Sequence, residues 1–394
     1  MAMVRQRGKR FELRIKHKLL PNGIYTTSFE SEAEARSYAV RIEALLVQGH
    51  VPLELVSKHV HVSNDTLAKV IRDYLAAVPA SASDVAILDL LFSQIGAERA
   101  DSALKYQWAD DWVRSLKIVH HLAPGTIRKR VGALARVLDW FLKRLAKTGE
   151  APLANPLRLL PKNYSVYNVH EQLQLKASRG LEAKRDIVRD RRLAAQEEGQ
   201  ILAALRGARH PARERALELP DGDALQDLFV VLVNSGLRLR EAYKLRVRDV
   251  KLELRTVHIR TSKSGAARDI PLLPAVFAVL ERRVNVARVH GPDTPIFPWW
   301  TAAADAKALN GITALLSAAL ARAFAYAGCS DLKPHDLRHE ATCRWVLMRD
   351  RRGGWLFRSE EIMRITGHKD PKVFMRYVSL RGSDLAERLW PTPA

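Results

Sequence analysis

The sequence predicts a mainly α-helical protein with small β elements, in three folded units joined by one linker. Three observations carry this. Strand-like alternation is confined to residues 9–29 and 249–272; apolar residues elsewhere recur at helical spacing; and Asn155-Pro156 interrupts the helical run. The expected units are residues 1–55, a small sheet plus a helix; 60–160, a helical bundle; 161–190, a basic linker; and 191–394, a mixed α/β unit with a C-terminal tail. A chain of 394 residues is long enough for a separate core in each.

Taken in order, Phe11, Leu13 and Ile15 lie on one face of a strand, with Arg14 and Lys16 on the other. Pro21-Asn22-Gly23 is a turn signal, and residues 24–29 return as a second strand. Ser31, with Glu34 three residues on, opens a helix that runs to about Val47. Asn64 or Asp65 starts the next helix, through Val78, and further helical periods cover 83–95 and 101–117. Pro124-Gly125-Thr126 opens a long helix striped by Ile127, Val131, Leu134, Leu138, Phe141, Leu142 and Leu145. Arg128, Lys129, Arg130 and Arg136 lie mostly off that stripe. The mixed-charge run RGLEAKRDIVRDRR reads as part of an interdomain linker, partly helical, that lies along DNA or is simply solvated. Helices at 193–205 and 225–233, a meander over 249–254, 256–261 and 268–272, and further helices complete the chain.

The chain carries a formal charge of +21. An excess of that size is self-repelling unless a polyanion offsets it, and duplex DNA is the expected partner. Two cysteines, Cys329 and Cys343, are too few for a disulfide framework or a cysteine-based zinc site. No apolar segment of signal-peptide type follows the basic N-terminus. The most apolar long stretch, 312–328, is alanine-rich, contains Arg322 and reads as a buried helix, so no membrane span and a cytosolic protein are expected.

Four stretches of the last unit carry chemistry. GLRLRE sets Arg238 and Glu241 three residues apart, just after the helix breaker Gly236. TSKSGAARDIPL puts Lys263 at the lip of a tight turn between two alternating segments. HDLRH places His335 and Arg338 on one helical face, with His339 beside them. TGHKDPKVFMRYVSL holds His368, then a short helix over 371–378, opened by Pro371, that carries Val373, Phe374 and Tyr377 on one side. Alone, Tyr377 fits a core position, and Arg238 with Glu241 fits a structural ion pair. Together the stretches supply two guanidinium groups, an ammonium, imidazoles and a phenol. That inventory suits a phosphodiester whose transition state gains negative charge. No Asp/Glu cluster at metal-site spacing lies near these motifs, so nothing here supports a two-metal route.

In order and spacing, Arg238, Lys263, His335-x-x-Arg338, Gly367-His368 and Tyr377 resemble the catalytic set of the tyrosine recombinase, or phage-type integrase, family. The resemblance covers residues 190–380 well, and the helical segment before them and the N-terminal fifty residues more weakly. It implies an arm-DNA-binding-like domain, a core-binding helical domain and a catalytic domain. It implies Tyr377 as nucleophile, Arg238 and Arg338 as phosphate clamps, Lys263 as proton donor to the leaving oxygen, His335 as proton acceptor or relay, and His368 as a phosphate contact. Glu241 would orient Arg238, and His339 would be a packed helper. Arg7, Lys9, Arg10, Arg14 and Lys16 would meet DNA from the N-terminal sheet, and the basic side of the long helix would meet it from the bundle. The resemblance further implies no cofactor or metal, a homo-tetramer on two duplexes, a Holliday junction, and accessory DNA-bending or directionality proteins. A type IB topoisomerase and a catalytically idle DNA-binding regulator are the rival readings.

Overall fold

The computed structural model describes every residue except 1, 9, 21–22, 53–54, 56–64, 146–153, 188, 261–266, 302, 352, 379, 381 and 390–394. The chain divides into two compact units, Met1–Ile187 and Val188–Ala394.

The first unit opens with an antiparallel sheet in the order β1 (Ala2–Arg7), β2 (Arg10–Lys16), β3 (Ile24–Phe29). Strand β1 is missed by the sequence reading, because only Ala2 and Val4 turn inward and the rest of it is exposed. Leu13 and Ile15 of β2 are fully buried and form one core with Ala39, Ile42 and Leu46 of helix α1 (Glu32–Val47). Ser31 accepts from the Glu34 N–H at 3.2 Å, which satisfies one of the orphan donors at the start of α1.

The bundle comprises α2 (Leu67–Ala77), α3 (Ala82–Ile95), α4 (Ala100–Ala103), α5 (Tyr106–Ile118) and α6 (Pro124–Leu145). Thr66, not Asn64 or Asp65, caps α2; the expected 101–117 helix is broken between α4 and α5. Ile127, Val131, Leu134, Leu138, Phe141 and Leu142 of α6 are buried against α2, α3 and α5, as a stripe of that width requires.

The stretch read as a linker, 161–190, contains helix α7 (Val169–Arg179), opened by a reciprocal Asn168–Glu171 capping box. Glu171 accepts from Lys117 Nζ at 3.0 Å on both oxygens, the pair being 9% and 6% exposed, and Leu175 is fully buried. The helix looks solvated in sequence because the polar residue on its inner face is half of a buried ion pair.

In the second unit, α8 (Glu197–Leu205) leads to α9 (Gly222–Ser235). The buried Leu228, Phe229, Val231, Leu232 and Val233 put α9 at the centre of the core. After α10 (Leu239–Tyr243) come β4 (Val250–Lys251), β5 (Thr256–Ile259) and β6 (Arg268–Pro271), an antiparallel meander in sequence order. Then follow α11 (Pro274–Ala287), α12 (Ala306–Tyr326), α13 (Asp336–Leu347), α14 (Ser359–Thr366), α15 (Pro371–Met375) and α16 (Gly382–Leu389). Helix α12, expected to be buried, is buried only along Leu316, Leu320, Ala323 and Phe324; Leu315 is 60% exposed.

The run RDRR is not solvated either. Arg189 pairs with Asp336, Arg191 with Glu197 and Asp331, and Arg192 with Glu340 and Asp384, so this segment straps α13 and α16 to the start of the unit.

Candidate active site

Gly236 ends α9 at φ +70, a left-handed conformation that glycine adopts without strain. Its carbonyl is thereby free to accept from Arg338 Nη1 at 2.6 Å. Arg238 then stands immediately before α10. Its own N–H is capped by Glu241 Oε2 at 3.1 Å, and its Nη1 donates to Glu241 Oε1 at 2.8 Å. The i, i+3 spacing thus makes a helix-start contact and an ion pair at once.

At the start of α13, Asp336 is buried, accepts from the Lys333 N–H at 2.8 Å, and is held by the Arg189 fork. This fixes His335, the residue before the helix, and Arg338 in its first turn. Arg338 is 2% exposed. Its Nη2 donates to the Thr366 carbonyl at 2.6 Å and lies 3.0 Å from His368 Nε2, while its Nε has no partner among the described residues. Burial, then the charge of Arg238, lower the Arg338 pKa.

The partners of His368 assign its tautomer. Thr366 Oγ1 donates to the Ile362 carbonyl at 2.7 Å, so it accepts from His368 Nδ1–H at 2.7 Å, and Nε2 is left as the acceptor for Arg338. A neutral ring follows. Burial, then the nearby arginines, push the His368 pKa down to about 3.

Helix α15 ends at Met375, short of the expected 378, and Tyr377 lies in the turn that follows, its N–H donating to the Phe374 carbonyl at 2.8 Å. The Tyr377 ring stacks on His339 with centroids 4.3 Å apart and lies 4.4 Å from the His368 ring. The Arg338 guanidinium sits 5.6 Å over its face. Tyr377 Oη is 3.1 Å from His335 Nε2. Burial, then Arg338, lower the His335 pKa, which favours the neutral ring.

Arg238, Glu241, His335, Arg338, His339, His368 and Tyr377 therefore converge. Lys263 and Lys9 lie outside the described residues. Arg268 is missed by the sequence reading: it donates to Glu241 Oε2 at 2.7 Å and to the Ile365 carbonyl at 3.1 Å. The signal was alternation, since Arg268 shares a strand face with the buried Ile270, and a charge on a buried face needs a partner.

The basic residues assigned to DNA contact have a different setting. On α6, Arg128 pairs with Asp186 at 2.7 Å, Arg130 donates to Gln94 at 3.1 Å, and Arg136 pairs with Asp84 at 2.6 Å; Lys129 is exposed. On the sheet, Arg7 pairs with Glu12 at 3.2 Å and Arg10 with Glu30 at 3.9 Å, while Arg14 and Lys16 are exposed. Among the described residues, no group of three or more His, Cys, Asp or Glu side chains is placed to hold a metal ion.

A helical unit with a three-strand meander thus carries an arginine-rich pocket that closes on one tyrosine. Residues 191–383 match the phage integrase family. Solved structures share the fold. The Tn1549 transposon integrase in complex with transposon right end DNA is 15% identical, with a TM-score of 0.55 over 82% of this chain and 97% of that one. The same integrase with circular intermediate DNA is 16% identical, with a TM-score of 0.55 over 83% and 100%. The XerH recombinase bound to palindromic difH substrate, a post-cleavage complex, is 14% identical, with a TM-score of 0.51 over 84% and 98%. No curated protein sequence matches the chain.

Proposed function

We propose that this protein is a site-specific DNA recombinase of the integrase type, which cuts and rejoins duplex DNA through a 3′-phosphotyrosyl bond to Tyr377. One observation carries the reading: a phenol oxygen 3.1 Å from an imidazole nitrogen, under a guanidinium whose buried Nε has no partner among the described residues.

His335 takes the phenolic proton. The phenolate oxygen bonds to phosphorus as the bond from phosphorus to the 5′ oxygen breaks, and Lys263 protonates that leaving oxygen. Arg238 and Arg338 neutralise the two non-bridging oxygens, each donor contributing on the order of 3–4 kcal/mol to the transition state. Before DNA binds, His368 orients Arg338 through its Nε2 lone pair; with DNA bound it lies beside the scissile phosphate. Because the ester bond is conserved in the protein–DNA linkage, rejoining needs no nucleotide.

The match to the phage integrase family and DNA-bound fold relatives such as the Tn1549 and XerH complexes support duplex DNA as the partner. We extend this to a homo-tetramer on two duplexes that passes through a Holliday junction, to accessory bending or directionality proteins, and to action in the cytoplasm on a mobile element or phage. Exposed Arg7, Arg10, Arg14, Lys16 and Lys129 are proposed as phosphate contacts in the first unit.

The test uses nicked duplexes tiled across the DNA flanking the coding sequence. A covalent protein–DNA adduct, with strand exchange between two such sites, is expected. Supercoil relaxation without exchange would instead identify a topoisomerase, and binding without any adduct an idle regulator.

A further inference from the structure

The Glu241 carboxylate faces two guanidinium groups. Arg238 reaches it through Nη1 and the main-chain N–H, at 2.8 and 3.1 Å. Arg268 reaches it from β6 through Nη2 at 2.7 Å and Nη1 at 3.4 Å. One negative charge is thus shared by two positive ones, and the node keeps a net positive charge. Burial raises the Glu241 pKa, but the bonds from Arg268, then Arg238, outweigh it and hold the group ionised.

Arg268 also touches the other half of the site. Its Nε donates to the Ile365 carbonyl at 3.1 Å, in the last turn of α14. The chain then crosses the guanidinium so closely that a Cβ at Gly367 would stand 3.0–3.1 Å from its Cζ, Nε and Nη1. Gly367 is at φ +75 and leads directly to His368. Two groups that hold Arg338, the Thr366 carbonyl and His368 Nε2, therefore rest on a turn floored by Arg268. The Arg268 side chain is itself only 9% exposed.

We infer that Arg268 is a positioning residue: it shares the Glu241 charge so that Arg238 keeps an unneutralised charge for a phosphate, and it fixes the turn that orients Arg338 and His368. This rests on the recombinase reading above. Without Arg268, Glu241 would face Arg238 alone, and a one-to-one ion pair has little net charge to offer an incoming anion.

The test compares the wild type, Arg268→Met, Arg268→Lys and the double variant Arg268→Met/Glu241→Gln. Single-turnover adduct formation on nicked duplex is measured together with affinity for the same DNA. Arg268→Met is expected to slow adduct formation about 100-fold, with affinity kept within about threefold. Neutralising Glu241 in that background should recover about tenfold or more, a rescue that a purely structural role would not give. Arg268→Lys keeps the charge but not the fork, and should lose about tenfold; it serves if methionine here unfolds the protein. Arg268→Met or Arg268→Lys cleaving at the wild-type rate, or a double variant no faster than the single one, would overturn the inference. A wild type that binds DNA but forms no adduct would overturn the recombinase reading, and this inference with it.

Discussion

Two arginine-rich regions of this chain differ in how their charge is matched. On α6 three of the four arginines have an acceptor of their own, Asp186 for Arg128, Gln94 for Arg130 and Asp84 for Arg136, and Arg144 lies over the Trp140 ring. In the pocket around Tyr377, Arg238 and Arg268 share the single carboxylate of Glu241, and Arg338 is held by carbonyls and an imidazole that carry no charge. Positive charge left without a counter-charge in a buried place needs an anion from outside. The number of arginines alone does not mark the site; a deficit of carboxylates around buried guanidinium groups does.

The first unit gives the sharpest contrast, because its one-to-one pair Lys117–Glu171 is buried. Lys117→Met should strand the Glu171 charge and destabilise that unit by about 3–5 kcal/mol, read by denaturant unfolding. A change under about 1 kcal/mol would mean that α7 is not held as described. In the pocket, Arg238→Ala should slow cleavage about 100- to 1,000-fold while leaving DNA affinity nearly unchanged. Parallel loss of binding would reassign Arg238 to anchoring.

Next in size, His335→Gln should slow cleavage about 100-fold and remove the acid limb of the pH profile. The sign follows from the base role. His335 must be neutral to accept a proton, and burial, Arg338 and Arg238 lower its pKa while Asp336 opposes them. The wild-type rate should therefore hold through about pH 6.5, the ordinary histidine value, and fall only below it. A fall that began above that value would exclude His335 as the base. The smallest effects belong to α6. Arg136→Ala, which loses an exposed pair, should change stability by less than about 1 kcal/mol. Lys129→Ala should lower the salt dependence of DNA binding by about one unit of slope if it meets a phosphate. An unchanged slope would remove Lys129 from the interface.

Most helices and the meander were legible because their apolar residues keep one period: the α6 stripe and the inward Leu13 and Ile15 are direct examples. The site's residue types were legible as well, since Arg238–Glu241 and His335–Arg338 sit at helical spacing. What escaped the sequence reading was polar burial. Arg189 and Arg192 lie in a run read as linker, and nothing singled out Glu171, yet each is paired within its unit, and no periodicity announces a pairing across 147, 148 or 54 residues. The turn at Tyr377 was hidden for a local reason. The residues after Pro371 are compatible with continuing the helix, and its end after Met375 follows from tertiary packing of the Tyr377 ring on His339 and His368.

The most direct measurement is to trap the adduct on a nicked duplex, digest the protein and locate the attached nucleotide by mass spectrometry. The account predicts a 3′-phosphonucleotide on the peptide containing Tyr377, and no adduct from Tyr377→Phe. A nucleotide attached to any other side chain, or an adduct that survives that substitution, would contradict it.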